Sequence, residues 1–226
     1  MRGMILAAGR GQRMGYLTEE IPKPLLKVAG KYLIEYAIEA FVRANIREIV
    51  INVSWLAELI QQQLGDGEKY NAHFMYSYEP TALETGGGIV QALPLLGEDP
   101  FIVMSADIVT NYPLNHLTKR QPEYAHLVLV NNPDFHPAGD FSLENGYVKK
   151  ASHNPLTYAN IGLYHPDFFS NAPVGKFLLG DLIRAHLSLH QVTGEIYSGR
   201  WLNIGTPQDL QMTGGHFEDH LDVAQR

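Results

Sequence analysis

No cysteine occurs among the 226 residues, which excludes disulfides and thiolate-ligated metal sites. Cations are scarce as well. The chain has 17 lysines and arginines against 24 acids, and the net charge of −7 argues against a nucleic-acid-binding face. Long apolar runs are missing too: none approaches the roughly 20 residues that a membrane-crossing helix needs. The first apolar run, Met4 to Ala7, passes directly into glycines rather than into a secretory cleavage site. Together these absences point to the cytoplasm. What is present, 45% hydrophobic and 18% charged residues, is the composition of an ordinary globular protein long enough to bury a full core. One domain over 1–226 is expected. An acidic chain that handles anions must gather its few cations in one place or bring in a metal.

Short apolar segments alternate with helical periodicity through the first 130 residues. Gly3 to Ala7, Glu48 to Val53, His73 to Tyr78, Phe101 to Ser105 and Ala125 to Val130 read as strands. Between them, Leu33 to Ala44 has helical apolar spacing, Trp55 to Leu64 follows Ser54 as its candidate N-cap, and Gly88 to Leu95 reads as a third helix. This order implies a three-layer α/β/α fold with a mostly parallel, mixed central sheet, whose ligands bind beyond the carboxyl ends of the strands. After residue 131 the pattern changes. Asp140 to Leu143 and Tyr147 to Lys150 flank Glu144-Asn145-Gly146 as a hairpin, and Tyr158 to Tyr164 forms another strand. Phe177 to His190 is an amphipathic helix, Gly194 to Tyr197 and Trp201 to Ile204 are strand-like, and a last helix starts at Pro207. The polar tail from His216 to Arg226 is expected to fray. Phe41 and Trp55, on apolar helix faces, are expected in the core.

The first strand ends in LAAGRGQRM, Leu6 to Met14, and IPKPL, Ile21 to Leu25, follows closely. Glycines at 9 and 11 let the backbone turn tightly and aim several N–H groups at one anion. Arg13 adds a forked, permanent cation, and Lys23 a point charge held between Pro22 and Pro24. Two commoner phosphate loops fail on spacing. No Gly-Lys-Ser/Thr follows, as a P-loop requires; Gly9, Gly11 and Gly15 miss G-x-G-x-x-G by one residue, and Asn52 rather than an acid ends the second strand. A plain strand-to-loop turn is the bland reading, and Arg13 with the Pro-Lys-Pro weighs against it. His186 with His190, and His216 with His220, stand four apart but lack the His-Glu order of a zinc site and a third ligand. They read as exposed helix residues.

LAAGRGQRM, Thr18 and PKPL resemble the signature of the sugar-1-phosphate nucleotidyltransferases, L-A-A-G-x-G-x-R-M followed by P-L-T and P-K-P. LIEYAIEAF at 33–41, EIVINVSWLAELI at 48–60, LETGGGI at 83–89, Asp107 and WLNIGTP at 201–207 continue in the family's order, so nearly the whole chain is covered. The resemblance implies a Rossmann-like fold and Mg²⁺-dependent transfer of a nucleotidyl group from a nucleoside triphosphate to a sugar-1-phosphate. It divides the chain into a nucleotide-binding half at 1–130, a sugar-binding half at 131–215 and a tail at 216–226. LETGGGIVQALPLLG, AHLVLV and GDF look most similar to the N-acetylmuramate-1-phosphate uridylyltransferases of peptidoglycan recycling. The mannose-1-phosphate guanylyltransferases come next, and their longer members append a repeat domain. By the same analogy a monomer is expected, and the charge and short apolar runs predict neither nucleic-acid nor membrane partners.

Carried onto this chain, the resemblance sets the nucleotide against Leu6, Ala7, Ala8, Gly9, Gly11, Arg13, Lys23, Glu84, Thr85 and Gly86. It makes Arg13, Lys23 and Asp107 catalytic, sets the sugar against Asp140, Asn160 and Gly162, and gives Mg²⁺ to Asp107 and Asn203. The chemistry suits these residue types. When a sugar phosphate attacks the α-phosphorus and pyrophosphate leaves, negative charge accumulates, and positioning with cations must stabilise it. The attacking phosphate, with a second pKa of roughly 6, is already ionised at pH 7 and needs no general base. Arg13 would hold the leaving phosphates and Lys23 the α-phosphate. Asp107, after a buried strand, is the hard oxygen donor that Mg²⁺ prefers. Gly86 to Gly88 read as a turn against which a flat base can lie, or, blandly, as a helix entry.

Three departures stand out. Asn203 replaces the family's Asp in W-x-D-x-G, so the metal site loses a full charge. Ser105-Ala106 stands for Asn-Gly, and Gly15-Tyr16 for Arg-Pro. A non-catalytic nucleotide-sugar-binding module of the same fold is the rival reading, and Asn203 keeps it open.

Overall fold

The computed structural model describes residues 1–218. Its elements begin with β1 (Gly3–Leu6), β2 (Lys27–Val28), β3 (Lys31–Tyr32), α1 (Leu33–Arg43), β4 (Glu48–Val53) and α2 (Ala57–Leu64). They continue with β5 (His73–Tyr78), α3 (Glu84–Leu96), β6 (Phe101–Ser105), β7 (Ile108–Thr110) and β8 (Ala125–Val130). The remainder comprises β9 (Phe141–Glu144), β10 (Tyr147–Lys150), β11 (Thr157–Tyr164), α4 (Leu179–His186), β12 (Val192–Ile196), β13 (Trp201–Asn203) and α5 (Pro207–Glu218). A nine-stranded sheet takes strands from both halves of the chain, in the order β5-β4-β1-β6-β11-β8-β12-β10-β9. β5, β4, β1 and β6 are mutually parallel, as are β8 and β12. β11 runs antiparallel between β6 and β8, and the β9–β10 hairpin closes the far edge antiparallel to β12.

Both faces of this sheet are covered, which is why its strands read as unbroken apolar runs. Side chains alternate between two clusters: Met4, Phe101 and Val103 face one way, and Ile5, Ile102 and Met104 the other. α1 lays Ile34, Ala37, Ile38 and Phe41 on the second face at helical spacing, all fully buried. Burial of each large side chain there is worth about 1.5–3 kcal/mol. α3 and α4 cover the first face through Ile89, Ala92, Leu96, Leu182 and Ile183. No helix among the described residues is long and apolar enough to cross a membrane.

The Asn145-Gly146 hairpin turn has both central residues at positive φ, 51° and 80°, the conformation that matches strand twist. Elsewhere tertiary contacts override the local signals. Ser54 does not cap α2; the helix starts at Ala57 after Leu56 in the left-handed region, φ 52°. Trp55 is half-buried rather than core: its indole N–H donates to the Thr18 carbonyl at 3.0 Å, and Arg10 stacks on its ring at 4.5 Å. α4 begins at Leu179 instead of Phe177, because Phe177 exchanges backbone hydrogen bonds with Leu83, Gly86 and Gly87. His186 is not a free surface residue; its Nδ1 meets the Leu182 carbonyl at 2.9 Å and its ring packs on Phe168. His220 and the end of the tail lie outside the described residues.

β12 carries a partly buried polar knot. His126 Nε2 faces Glu195 Oε2 at 3.4 Å, the Tyr112 hydroxyl donates to the other carboxylate oxygen, and Arg120 pairs with Oε2 at 2.5 Å. Hydrogen bonds from His126, then Tyr112 and Arg120, outweigh burial and hold the Glu195 carboxyl down at about 2, against 4.5 ordinarily. A carboxyl whose folded pKa is depressed stabilises the fold above its unfolded pKa and loses that contribution as pH falls through the folded value. Urea unfolding between pH 7 and pH 2 should therefore show an acid-dependent loss, on the order of 3 kcal/mol, across the window from about 4.5 to about 2 that Glu195→Gln lacks. Identical pH profiles for the two proteins would refute this role.

Candidate functional site

The glycine loop leaves the carboxyl end of β1 under tight restraint. Leu6 pairs with Asn52 on β4 and with Ser105 on β6, and Ala106 donates its N–H to the Leu6 carbonyl at 3.0 Å. The next N–H, that of Ala7, is taken by Asn52 Oδ1 at 2.7 Å. Asn52 Nδ2 donates in turn to Glu79 Oε1 at 2.7 Å, and Glu79 Oε2 accepts from Leu83 N at 2.8 Å. Glu79 is 1% exposed. Burial raises its carboxyl above the usual range, while the Leu83 N–H and the Asn52 amide favour the charged form. This chain links the loop to the entrance of α3.

Beyond the loop, Gly11 is left-handed at φ 68°, and a side chain there would stand 2.9 Å from Lys23 Cβ. The Thr18 hydroxyl bonds the Gly11 and Gly15 carbonyls, closing the turn that follows. Lys23 can therefore lie against the loop. Its Nζ donates to Asp107 Oδ2 at 2.5 Å, with side-chain exposures of 11% and 24%. Arg13 extends into the mouth of the site and passes over Gly205, where a Cβ would lie 3.2 Å from its Nη1. Thr206 and Asp209 cap α5 reciprocally just behind, at 2.7 and 3.2 Å.

A cavity of about 390 Å³ collects Leu6, Ala7, Ala8, Gly9, Gly11, Arg13, Lys23, Glu84, Thr85 and Asp107. Asn52, Glu79 and Gln12 line it as well. Gly86 does not. The three glycines 86–88 form the first turns of α3 rather than a loop, and each accommodates a protein neighbour. A Cβ on Gly86 would strike the Phe177 ring at 2.3 Å, one on Gly87 the Gly175 carbonyl at 2.2 Å, and one on Gly88 the Glu79 carboxylate at 2.5 Å. The Gly86 N–H donates to the Phe177 carbonyl at 3.0 Å, so it is not offered to a base.

A second cavity, about 400 Å³, adjoins the first and shares Leu6, Arg13, Thr85 and Ser105 with it. Asp140, Asn160 and Asn203 line it, together with His136, Thr157 and Arg184. Asp140 is held by His136 Nε2 at 3.1 Å and Tyr158 N at 2.9 Å. Asn160 has φ 55° at an irregularity of β11, and such a bulge re-aims a side chain out of the strand alternation. Gly162 faces neither cavity. A side chain there would meet the Tyr164 and Tyr158 hydroxyls at 2.9 and 3.0 Å, so its glycine serves that buried tyrosine pair.

Asp107 and Asn203 are hard oxygen donors of the kind that suits Mg²⁺ alongside phosphate oxygens. Among the described residues no three acidic, histidine or cysteine side chains converge. Asn203 Oδ1 is buried without a hydrogen-bond partner, a state that costs about 1–3 kcal/mol. β13 pairs with β7, and Ile204 N donates to the Asp107 carbonyl at 3.0 Å, so Asp107 and Asn203 occupy neighbouring chain positions. They open on different cavities, however, and Lys23 holds the Asp107 carboxylate.

Sequence reasoning passed over Glu79, Gln12, His136, Thr157 and Arg184. Asn52 carried a signal, a polar residue ending an otherwise apolar strand, and Glu79 a similar one immediately after β5. Comparison with known proteins identifies the family. The nucleotidyl transferase family model matches residues 2–218. An N-acetylmuramate alpha-1-phosphate uridylyltransferase of Neisseria meningitidis is 43% identical over 216 residues, covering 91% of this chain and 94% of that protein. One from Caulobacter vibrioides is 33% identical, covering 91% and 92%. Among solved structures, a Bacillus anthracis protein assigned as a glucose-1-phosphate thymidylyltransferase superposes with a TM-score of 0.87 at 22% identity, covering 97% of this chain and 96% of that one, which shows the shared fold.

The close approach at Gly88 reverses the usual sign of a helix substitution. Alanine normally stabilises a helix interior relative to glycine by about 1 kcal/mol. Here Gly88→Ala should lower stability by about 1–3 kcal/mol through overpacking against Glu79 and Asn52. That amounts to a fall of several degrees in Tm; an unchanged or raised Tm would show that the Asn52–Glu79 link is loose.

Proposed function

This chain belongs to the nucleotidyl transferase family, and we propose that it transfers a uridylyl group from UTP to N-acetylmuramate-1-phosphate, releasing pyrophosphate and UDP-N-acetylmuramate. The observation that carries the reaction is the Lys23–Asp107 pair, held between the loop after β1 and the end of β6 in the wall of the first cavity. UTP and the acid-bearing sugar are taken from what the Neisseria and Caulobacter relatives are named for. In this reading one domain works as a monomer in the cytoplasm, in peptidoglycan recycling, with the triphosphate in the first cavity and the sugar in the second.

The residues divide the work by position. The loop from Ala7 to Gly11 turns around the phosphates, and Arg13 meets the leaving pyrophosphate from the mouth of the site. Lys23 neutralises the α-phosphate as negative charge grows there. The sugar phosphate attacks in its ionised form, so no side chain has to take a proton. Asp107 and Asn203 would hold Mg²⁺, which when bound neutralises phosphate oxygens. Asp140 and Asn160 hold the sugar, and Asp140, with one oxygen near His136, keeps acceptor capacity for a hydroxyl or amide.

Pyrophosphate release from a matrix of nucleoside triphosphates and sugar-1-phosphates tests the assignment: UTP with N-acetylmuramate-1-phosphate should give the highest kcat/KM. Preference for GTP with mannose-1-phosphate would reassign the substrates. Lys23→Ala should lower kcat by roughly 10²–10³-fold without unfolding the chain. Asn203→Asp should lower the Mg²⁺ concentration needed for half-maximal rate, because a full charge is restored to the donor set. Unchanged Mg²⁺ dependence and rate would remove Asn203 from the metal site.

A further inference from the structure

Arg184 is a cation of the second cavity that the transfer chemistry leaves unused. Arg13, the other permanent cation there, is shared with the first cavity. The Arg184 guanidinium carbon lies 5.7 Å from the centroid of the Phe141 ring, which lines the same cavity, and Nη1 donates to Asp181 Oδ1 at 3.1 Å. That ion pair is weak, because its side chains are 51% and 66% exposed. A planar guanidinium has five donors, so most of them stay available to a ligand. Gly180, one turn earlier on α4, explains how the guanidinium reaches this place: a Cβ there would stand 3.2 Å from Nη1. Glycine weakens a short helix, yet at this position it keeps the cavity side of the helix clear. Opposing charge is also limited. Against Arg13 and Arg184, the one acid among the residues lining the cavity is Asp140.

We propose that Arg184 determines which sugar phosphates are accepted by binding a carboxylate carried on the sugar, separate from the reacting phosphate. The inference rests on the reading that the second cavity takes the sugar. A muramate-type sugar differs from a plain N-acetylhexosamine by a lactyl ether that ends in a carboxylate. The guanidinium fork meets such a group bidentately, with the Phe141 ring beside it. A neutral sugar leaves Arg184 to Asp181 and water, so the pairing separates the two sugars without touching the reacting atoms.

The test compares kcat/KM for UTP-dependent pyrophosphate release with N-acetylmuramate-1-phosphate and with N-acetylglucosamine-1-phosphate, in the native chain, Arg184→Gln and Arg184→Lys. The native chain should favour the carboxylate-bearing sugar. Arg184→Gln should lower the ratio of the two kcat/KM values roughly 10–100-fold, mainly through a raised KM for the muramate, and Arg184→Lys should recover part of it. An unmoved ratio, or an equal fall with both sugars, overturns the role of Arg184. Absence of release by the native chain with either sugar overturns the proposed function instead, and the inference falls with it.

Discussion

Asn52 is the residue on which the site's geometry depends. Its amide accepts from the Ala7 N–H and donates to Glu79, so one side chain joins the loop after β1, the end of β4 and the segment that enters α3. Both of its hydrogen bonds are buried, and loss of one partner would leave a polar group stranded at a cost of about 1–3 kcal/mol. Glu79 then anchors Leu83, and the close packing of Gly88 against the pair fixes where α3 begins. Glu84 and Thr85, at the first turn of that helix, reach the cavity because this chain of contacts holds them there.

The acidic character of the protein sharpens the role of its few cations. Lys23 is almost buried and is paired with Asp107, an arrangement whose desolvation cost is offset by mutual attraction and which leaves both groups ready at one point. Arg13 lines both cavities, and Arg184 lines the second one only. Positive charge therefore follows the path that an anionic substrate pair would occupy, in a chain with a net charge of −7.

Much of the fold was legible because burial on both faces of a sheet leaves a plain mark: short, uninterrupted β-branched and aliphatic runs such as Glu48–Val53. The Asn145-Gly146 turn was equally legible, since two consecutive positive φ angles favour that dipeptide. The errors arose where a neighbour distant in sequence overrode a local preference. Three consecutive glycines argue against helix, yet they open α3 because Phe177, Gly175 and Glu79 each need the missing side chain. Trp55 looked like a core residue until the Thr18 carbonyl and Arg10 drew it toward the loop. Gly162 matched a sugar-facing segment but answers to Tyr158 and Tyr164.

The sequence by itself determined that a phosphate site follows β1, because LAAGRGQRM and PKPL place turn glycines and two cations within 17 residues of one strand end, and their resemblance to a family signature supplied the reaction class. It also determined the layered architecture, through the alternation of apolar runs and helical periods. Only the tertiary structure decided which distant groups meet. It brought Lys23 to Asp107 across 84 positions, tied Asn52 to Glu79, left Asn203 with an unpartnered oxygen, and turned Arg184 into the wall of a cavity. Those pairings depend on strand order and register, which arise from the packing of the whole sheet and leave no local trace in any single segment.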